Sequence, residues 1–188
     1  MDSASLATLA PALPQQNLHR VFVYGTLMAD EVLRILLKRD PQSSAAVLNG
    51  YQRLSIKGRV YPAIIPVNSK KVSGKILSGI TDSEMDTLDA YENVEYKRST
   101  VEVSLMVKYS THLGTQLILD SFEKLLVYAY VWCNEKDPEL YGEWDFEVKT
   151  LSFLSFSIRA SEYQDLYIII PTEKKLFVFD FSCDNMLK

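Results

Sequence analysis

Two short segments of the sequence combine residue types suited to binding an anion or a carbonyl group and to removing a proton. The first is Val21–Met28 (VFVYGTLM), in which an apolar, strand-like run ends at Tyr24, Gly25 and Thr26. A turn that runs from a strand toward a helix leaves backbone N–H groups unpaired, and such donors bind carboxylates and carbonyl oxygens. Gly25 lets the backbone approach a ligand closely. The segment therefore predicts either an ordinary strand-to-helix turn or a substrate-binding turn.

The second segment is Asp89–Arg98 (DAYENVEYKR), and its residue of interest is Glu92. On a helix, Glu92 lies seven residues after Met85 and four after Leu88, which places it at the edge of the apolar face. It is either a buried structural carboxylate or a catalytic base. Burial raises the pKa of a glutamate above its usual ~4.3, and a raised pKa suits a base that works near neutral pH.

The elements that must position these residues can be predicted from local patterns. Thr81–Glu84 has the form of a capping box, and the apolar residues that follow repeat at helical spacing. The acidic residues of this helix that fall on its other side are expected to form a solvated face rather than a metal site: Asp82, Asp86 and Asp89. Another helix is predicted over Ala29–Arg39, with Pro41 closing it.

Short β-like runs make up the rest of the pattern. Turn residues separate these runs. The runs are Arg20–Tyr24, Val60–Ile65 (which stops at Pro66), Val72–Leu77, Thr100–Val107 and Leu126–Trp132. Five or six short strands of this kind favour a barrel or a strongly curved sheet rather than repeated βαβ units. We predict an α+β fold in which a small, mixed β-barrel of five to seven strands is flanked by a few helices.

Composition excludes several classes of function. The chain has 188 residues, of which 47% are apolar and 23% charged, and a net charge of −4. These values are typical of one soluble globular domain and argue against nucleic-acid binding. No apolar run approaches the ~20 residues that span a bilayer, and the N-terminal residues lack the features of a signal peptide. We therefore expect a cytoplasmic protein without a membrane or nucleic-acid partner, and its oligomeric state is not predicted.

Common catalytic motifs are missing from the sequence. It contains no phosphate-binding loop, no G-x-G-x-x-G, no G-x-S-x-G, no H-E-x-x-H and no C-x-x-C. Cys133 and Cys183 are its only cysteines, and their separation favours a reducing compartment over a disulfide framework. Thiol catalysis by Cys133 is unsupported. A carboxylate base combined with backbone donors is the chemistry that remains.

Several residues near the two segments have structural alternatives. Tyr61 and Tyr130 either line a pocket or belong to a half-buried core. Trp132 and Trp144 are interpreted as core or pocket wall. Glu95 is expected to pair with Arg98, although Arg98 has the alternative of orienting Glu92 or the substrate.

Five segments occur in an order that resembles the gamma-glutamylcyclotransferase-like superfamily. They are Val21–Met28, Arg59–Pro66 (RVYPAIIP), Ser73–Gly79 (SGKILSG), Asp89–Arg98 and Tyr130–Trp132 (YVW). The later string Asp137–Glu147 (DPELYGEWDFE) resembles the avirulence-induced-gene-like plant branch, so the similarity runs from Val21 to Glu147.

The resemblance implies a reaction and its residues. The reaction excises a γ-glutamyl group as 5-oxoproline without a metal or cofactor. Glu92 corresponds to the catalytic glutamate of the family. The substrate-binding turn of the family corresponds to Tyr24, Gly25, Thr26 and Leu27, with Met28 and Ala29 at its edge. The alternative functions are a non-catalytic ligand- or protein-binding module with the same pocket and an unstable variant with no activity of its own.

The ends of the chain differ from this pattern. Residues 1–19 are predicted to be a disordered tail, residues 20–147 the family domain, and residues 148–188 an off-pattern segment with two β-like runs, Leu166–Ile170 and Leu176–Phe181. The departure begins at Val148. Every valine codon begins with GT, the usual start of an intron, so the segment is consistent with a retained intron or with an error in the gene model. The stretch Val107–Leu119 is predicted to be an enlarged hairpin loop.

Overall fold

The computed structural model describes residues 16–110 and 116–145. Its elements, in chain order, are β1 (Leu18–Val23), a short 3₁₀ helix (Thr26–Met28), α1 (Asp30–Leu37), β2 (Gln42–Ile56), β3 (Pro62–Thr81), α2 (Asp82–Glu92), β4 (Tyr96–Ser110), β5 (Gln116–Trp132) and β6 (Leu140–Glu143). Of the predicted tail over residues 1–19, residues 1–15 lie outside the described residues, as does the predicted off-pattern segment over residues 148–188. None of the helices described here is both long and apolar enough to cross a membrane.

The strands form one mixed sheet that closes on itself. Their order is β3-β1-β5-β4-β2-β6, and β2 also pairs with β3, which joins five of the strands into a ring. The β1–β5 pair is parallel, whereas the other pairs are antiparallel. β6 pairs with the end of β2, beyond the stretch that pairs with β4. The predicted α+β fold with a small, closed, mixed sheet is confirmed.

β2 and β3 form a long hairpin that differs from the sequence prediction. The predicted strand over residues 60–65 does not stop at Pro66, because Pro66 pairs with Tyr51 and β3 continues to Thr81. The register shifts between Asn49 and Tyr51, where Gly50 has a φ of 77°. A proline is tolerated beside such an irregularity. β2 itself was not predicted, since residues 42–56 contain few β-branched or aromatic residues and do not alternate clearly.

The other strands extend the predicted runs. β1 begins at Leu18 rather than at Arg20. β4 and β5 reach beyond the predicted limits, and Ser110 pairs with Gln116. Most of the stretch predicted as an enlarged loop over residues 107–119 is therefore strand, and residues 111–115 lie outside the described part.

Side chains of β1 alternate between two cores. Phe22 and Tyr24 pack inside the ring of strands. Val21 and Val23 face the opposite side, where they pack with α1 and α2. This alternation is the period-2 pattern of a strand that is covered on both faces.

The capping box at the start of α2 is confirmed. The backbone N–H of Glu84 donates to Thr81 Oγ1 at 3.2 Å, and the Thr81 N–H donates to Glu84 Oε2 at 2.8 Å. Met85 and Leu88 are buried in the core as predicted. Because the helix begins at Asp82 and runs through Glu92, its last turn brings Glu92 to the end of the sheet where β1 stops.

Candidate functional site

A pocket lies where β1 and α2 end and where β3 and β4 begin. It has about 560 Å³ of empty space, including its open mouth. Both segments singled out by the sequence line it. The lining residues are Phe22, Val23, Tyr24, Gly25, Thr26, Leu27, Tyr61, Pro62, Tyr91, Glu92, Asn93, Glu95, Tyr96 and Tyr130.

The turn after β1 presents unpaired backbone donors to this pocket. Within the 3₁₀ turn, the N–H of Met28 donates to the Gly25 carbonyl at 2.9 Å, and the N–H of Ala29 donates to the Thr26 carbonyl at 3.0 Å. The preceding N–H groups, of Gly25, Thr26 and Leu27, have no acceptor among the described residues. The first N–H groups of a helical turn are left in this state by its geometry, so the turn can donate hydrogen bonds to a bound group.

Glycine is required at position 25 by the neighbouring wall of the pocket. A Cβ atom on Gly25 would lie 2.8 Å from both Cγ and Cδ of Pro62. Contacts between carbon atoms this short are strongly repulsive. The turn and the first residue of β3 therefore approach each other as closely as they do only because Gly25 has no side chain.

Glu92 ends α2 and contributes a desolvated carboxyl group to the pocket. Surrounding protein removes water from this group and raises its pKa from 4.5 to about 8. The residue is nevertheless not fully buried, because part of its surface faces the pocket. No donor within the described residues forms a hydrogen bond with its carboxyl oxygens. A carboxyl group in this state is suited to exchanging a proton with a bound molecule.

Tyrosine side chains supply most of the polar surface of the pocket besides the glutamates. The Tyr24 hydroxyl donates to the carbonyl oxygen of Tyr130 at 2.5 Å, and the Tyr96 hydroxyl donates to the Pro62 carbonyl at 2.8 Å. Burial raises the pKa values of Tyr24, Tyr91, Tyr96 and Tyr130. These phenols therefore stay protonated at neutral pH and serve as fixed hydrogen-bonding groups. Tyr61 and Tyr130 both line the pocket, and Tyr130 also belongs to the buried core that packs against α1 and α2.

The ion pairs near the pocket differ from the prediction. Glu95 does not pair with Arg98. It accepts from Nη1 of Arg59, which also donates to the Tyr61 hydroxyl at 2.6 Å. Arg59 lies on another loop of the chain, so the spacing between Glu95 and Arg98 gave no indication of this pair. The hydrogen bond that Arg59 donates to Glu95 raises the pKa of the Arg59 guanidinium above its usual range.

Arg98 instead binds Asp89 on α2. Its Nη1 donates to Asp89 Oδ2 at 2.8 Å, and the Tyr130 hydroxyl donates to Asp89 Oδ1 at 2.6 Å. Asp89 is half-buried, so the prediction of a solvated acidic face was wrong for this residue. Asp82 and Asp86 are exposed, and Asp82 contacts His19 Nε2 at 2.6 Å. The described residues contain no group of His, Cys, Asp and Glu side chains that could hold a metal ion.

The remaining predicted site residues lie beside the pocket. Met28 and Ala29 pack in the core between the sheet and α1 and are not among the lining residues. Trp132 and Trp144 are buried. Lining residues that the sequence analysis did not assign to the site include Pro62, Tyr91, Asn93 and Tyr96. All four residues lie within Arg59–Pro66 or Asp89–Arg98, two of the stretches that resemble the family, and this was the sequence feature that could have assigned them to the site.

Comparison with known proteins connects this pocket to a family. A family model described as "Gamma-glutamyl cyclotransferase, AIG2-like" matches residues 21–146. AIG2-like protein D of Arabidopsis thaliana is 54% identical over 132 residues, which cover 70% of this chain and 78% of the relative. A solution structure of an Arabidopsis thaliana protein is similar with a TM-score of 0.56 at 36% identity, and covers 78% of this chain and 93% of that one. A second such structure has a TM-score of 0.56 at 33% identity, and covers 95% and 99%.

Proposed function

The chain belongs to the AIG2-like gamma-glutamyl cyclotransferase family, and we propose that it releases the γ-glutamyl group of a peptide or amine as 5-oxoproline. One observation carries the proposal: the desolvated carboxyl group of Glu92 and the unpaired N–H groups of residues 25–27 line the same pocket. The Glu92 carboxyl group can accept and donate protons, and the N–H groups can hold an anionic or carbonyl oxygen.

Glu92 is proposed to act on the α-amino group of the substrate. This amine is mostly protonated at neutral pH, since its pKa is ~7.7–8.0, and it must lose a proton before its nitrogen can attack. A pKa of about 8 for Glu92 is matched to that transfer. When the substrate ammonium enters, its positive charge favours the carboxylate form of Glu92, so binding prepares the base for the reaction.

The bond changes then follow in a balanced order. The neutral amine attacks the side-chain carbonyl carbon, and a five-membered ring closes with a negative charge on the oxygen. The bond from that carbon to the departing nitrogen breaks as the carbonyl re-forms. The ring nitrogen loses two protons in all, and the departing amine gains both and leaves as an ammonium. Glu92 accepts each of the two protons in turn from the attacking nitrogen and passes it to the departing nitrogen.

The turn after β1 is proposed to hold the substrate through its N–H groups. They are available either to the α-carboxylate of the substrate or to the oxyanion that forms during ring closure. One oxyanion donor is typically worth ~10²–10³ in rate. The closure is intramolecular, so holding the glutamyl chain in a folded conformation lowers the barrier further. The protonated tyrosines of the pocket fix that conformation by shape and by hydrogen bonds.

The test is the release of 5-oxoproline by the full chain. A panel of γ-glutamyl peptides and γ-glutamyl amines is incubated with the purified protein, and 5-oxoproline is measured by mass spectrometry. Glu92→Gln is measured in parallel. Asp86→Asn is the matched control, because it is the corresponding acid-to-amide change at an exposed position on the same helix.

We expect release by the unmodified chain and by Asp86→Asn, and loss of release in Glu92→Gln. Circular dichroism and size-exclusion chromatography establish that each protein is folded. Absence of release from a folded protein, together with binding of a γ-glutamyl compound in calorimetry, would replace the enzyme with a non-catalytic binding module.

A further inference from the structure

Arg53 lies behind the turn that follows β1 and is not among the residues that line the pocket. It belongs to β2, and its Nη1 donates to the carbonyl oxygen of Tyr24 at 2.8 Å. A longer contact of 3.4 Å joins the same nitrogen to the carbonyl oxygen of Ser73. The cation therefore contacts the backbone of the proposed substrate-binding turn without lining the pocket itself.

Trp144 holds the Arg53 side chain in place. Cζ of Arg53 lies 5.1 Å from the centroid of the indole ring, a distance at which a cation and an aromatic face attract each other. The indole Nε1–H donates to the carbonyl oxygen of Val60 at 2.9 Å. Trp144 thus joins Arg53 to the loop that supplies Tyr61 to the pocket.

The environment of Arg53 is unfavourable for a charged group. Its Nε is buried and has no hydrogen-bond partner in the described part of the chain. Burial lowers the pKa of the guanidinium, and the nearby carboxylates Glu143 and Asp145 offset part of this effect. A buried polar group without a partner costs free energy, so fold stability alone gives a poor reason for an arginine here.

The geometry of the peptide unit supplies a functional reason. No cis peptide bond occurs in the described residues, so the carbonyl of Tyr24 and the N–H of Gly25 point in opposite directions. The N–H of Gly25 therefore points away from the Arg53 side chain that binds the Tyr24 carbonyl, and Gly25 itself lines the pocket. A cation on the carbonyl also polarises the peptide unit and makes its N–H a stronger donor.

We propose that Arg53, held by Trp144, is a positioning residue that orients and polarises the Tyr24–Gly25 peptide so that its N–H donates to the γ-glutamyl substrate. This inference rests on the proposed function for the identity of the substrate. Arg53 itself does not touch the substrate. Its effect on the reaction passes through one backbone N–H group, and that group can be observed directly.

The kinetic test uses Arg53→Met, Arg53→Lys and the control Arg20→Met, a surface arginine on β1. Release of 5-oxoproline is measured as kcat and KM on the best compound of the γ-glutamyl panel. We expect Arg53→Met to lower kcat/KM by about tenfold or more, part of the effect of a complete donor. Arg53→Lys keeps the charge and a donor and should recover part of that loss. Arg20→Met should be unchanged.

The spectroscopic test follows the Gly25 amide by NMR after labelling glycine with ¹⁵N. The sequence has seven glycines, so the spectrum is simple enough to assign. We expect the Gly25 amide proton to move upfield in Arg53→Met, because its peptide unit is less polarised, and to stay in place in Arg20→Met. Titration with γ-L-glutamyl-L-alanine should shift the Gly25 amide of the unmodified protein more than that of Arg53→Met.

The two tests separate the failure of this inference from the failure of the proposed function. If the unmodified chain releases 5-oxoproline and folded Arg53→Met retains its full kcat/KM, the role of Arg53 is overturned while the enzyme stands. If no compound is cleaved, the proposed function fails. The Gly25 resonance then decides for Arg53: a position that is the same in Arg53→Met and in the unmodified protein overturns the inference, and a shift supports it.

Discussion

The hydroxyl oxygen of Tyr91 lies 3.0 Å from Oγ1 of Thr26 and joins the turn after β1 to the last turn of α2. Thr26 carries one of the unpaired N–H groups, and Tyr91 directly precedes Glu92. This hydrogen bond therefore fixes the distance between the proposed substrate-binding turn and the proposed base. Both residues line the pocket.

Breaking this bond should affect both stability and catalysis. We expect Tyr91→Phe and Thr26→Val each to lower the free energy of unfolding by about 1 kcal/mol, the usual net value of a hydrogen bond with a buried partner. The double variant should cost less than the sum, because each single change already removes the interaction. Urea denaturation of the four proteins measures this coupling. Simple additivity would show that the bond does not form in solution.

The raised pKa of Glu92 predicts a pH-dependent cost to the fold. The pKa is about 8 in the folded protein and 4.5 without burial, so the folded state holds an extra proton between these values. Its stability therefore falls as pH rises from about 4.5 to about 8. Glu92→Gln removes this titration. We expect the variant to be more stable than the unmodified chain at pH 8.5, by about 1–3 kcal/mol, because the open pocket reduces the cost relative to a dry site.

The measurement for this prediction is the melting temperature at pH 5 and at pH 8.5. The gain from Glu92→Gln should be small at pH 5, where the folded carboxyl group is already neutral. Asp86→Asn, at an exposed site, should show no such difference between the two pH values. An equal gain for Glu92→Gln at both pH values would contradict the assigned pKa.

The contact between Gly25 and Pro62 predicts a loss of activity that a second change can reverse. Gly25→Ala places a methyl group 2.8 Å from Cγ and Cδ of Pro62, so the turn must shift away from the pocket wall. Misplacing a donor can cost about 100-fold in rate. Pro62→Ala removes both of the atoms in conflict. We expect the double variant to be faster than Gly25→Ala alone, and no recovery would mean that the clash is not the cause.

Gly74 predicts a stability effect at the point where β3 passes the end of β1. A Cβ atom at this position would lie 2.3 Å from the carbonyl oxygen of Val23 and 2.7 Å from Cζ of Phe22. Neither the backbone of β1 nor the buried Phe22 side chain can move easily. Gly74→Ala should therefore lower the free energy of unfolding by about 2–3 kcal/mol. Ser73→Ala, at the exposed neighbouring position, should change it by less than about 0.5 kcal/mol. Thermal or urea denaturation compares the two variants.

The sequence contained enough information to place the local elements of the site. The capping box at Thr81 fixed the phase of α2, and that phase brought Glu92 to the edge of the buried face. It contained less information about long-range partners. Arg59 contacts Glu95 across 36 positions of the chain, and Arg53 contacts Tyr24 across 29. No periodicity or spacing rule relates residues this far apart in the chain, so these pairs became visible only in the folded structure. β2 was missed for a related reason, because its pairing with three other strands compensates for its weak strand propensity.

The most direct test of the central claim is the rate of 5-oxoproline release by Glu92→Gln relative to the unmodified chain, with substrate binding measured separately. Loss of a general base typically costs ~10²–10⁴ in rate. We predict a fall in kcat within this range at pH 8, while the Kd for γ-L-glutamyl-L-alanine, measured by calorimetry, changes by no more than a few-fold. A folded Glu92→Gln protein that releases 5-oxoproline as fast as the unmodified chain would contradict the assignment of Glu92 as the base.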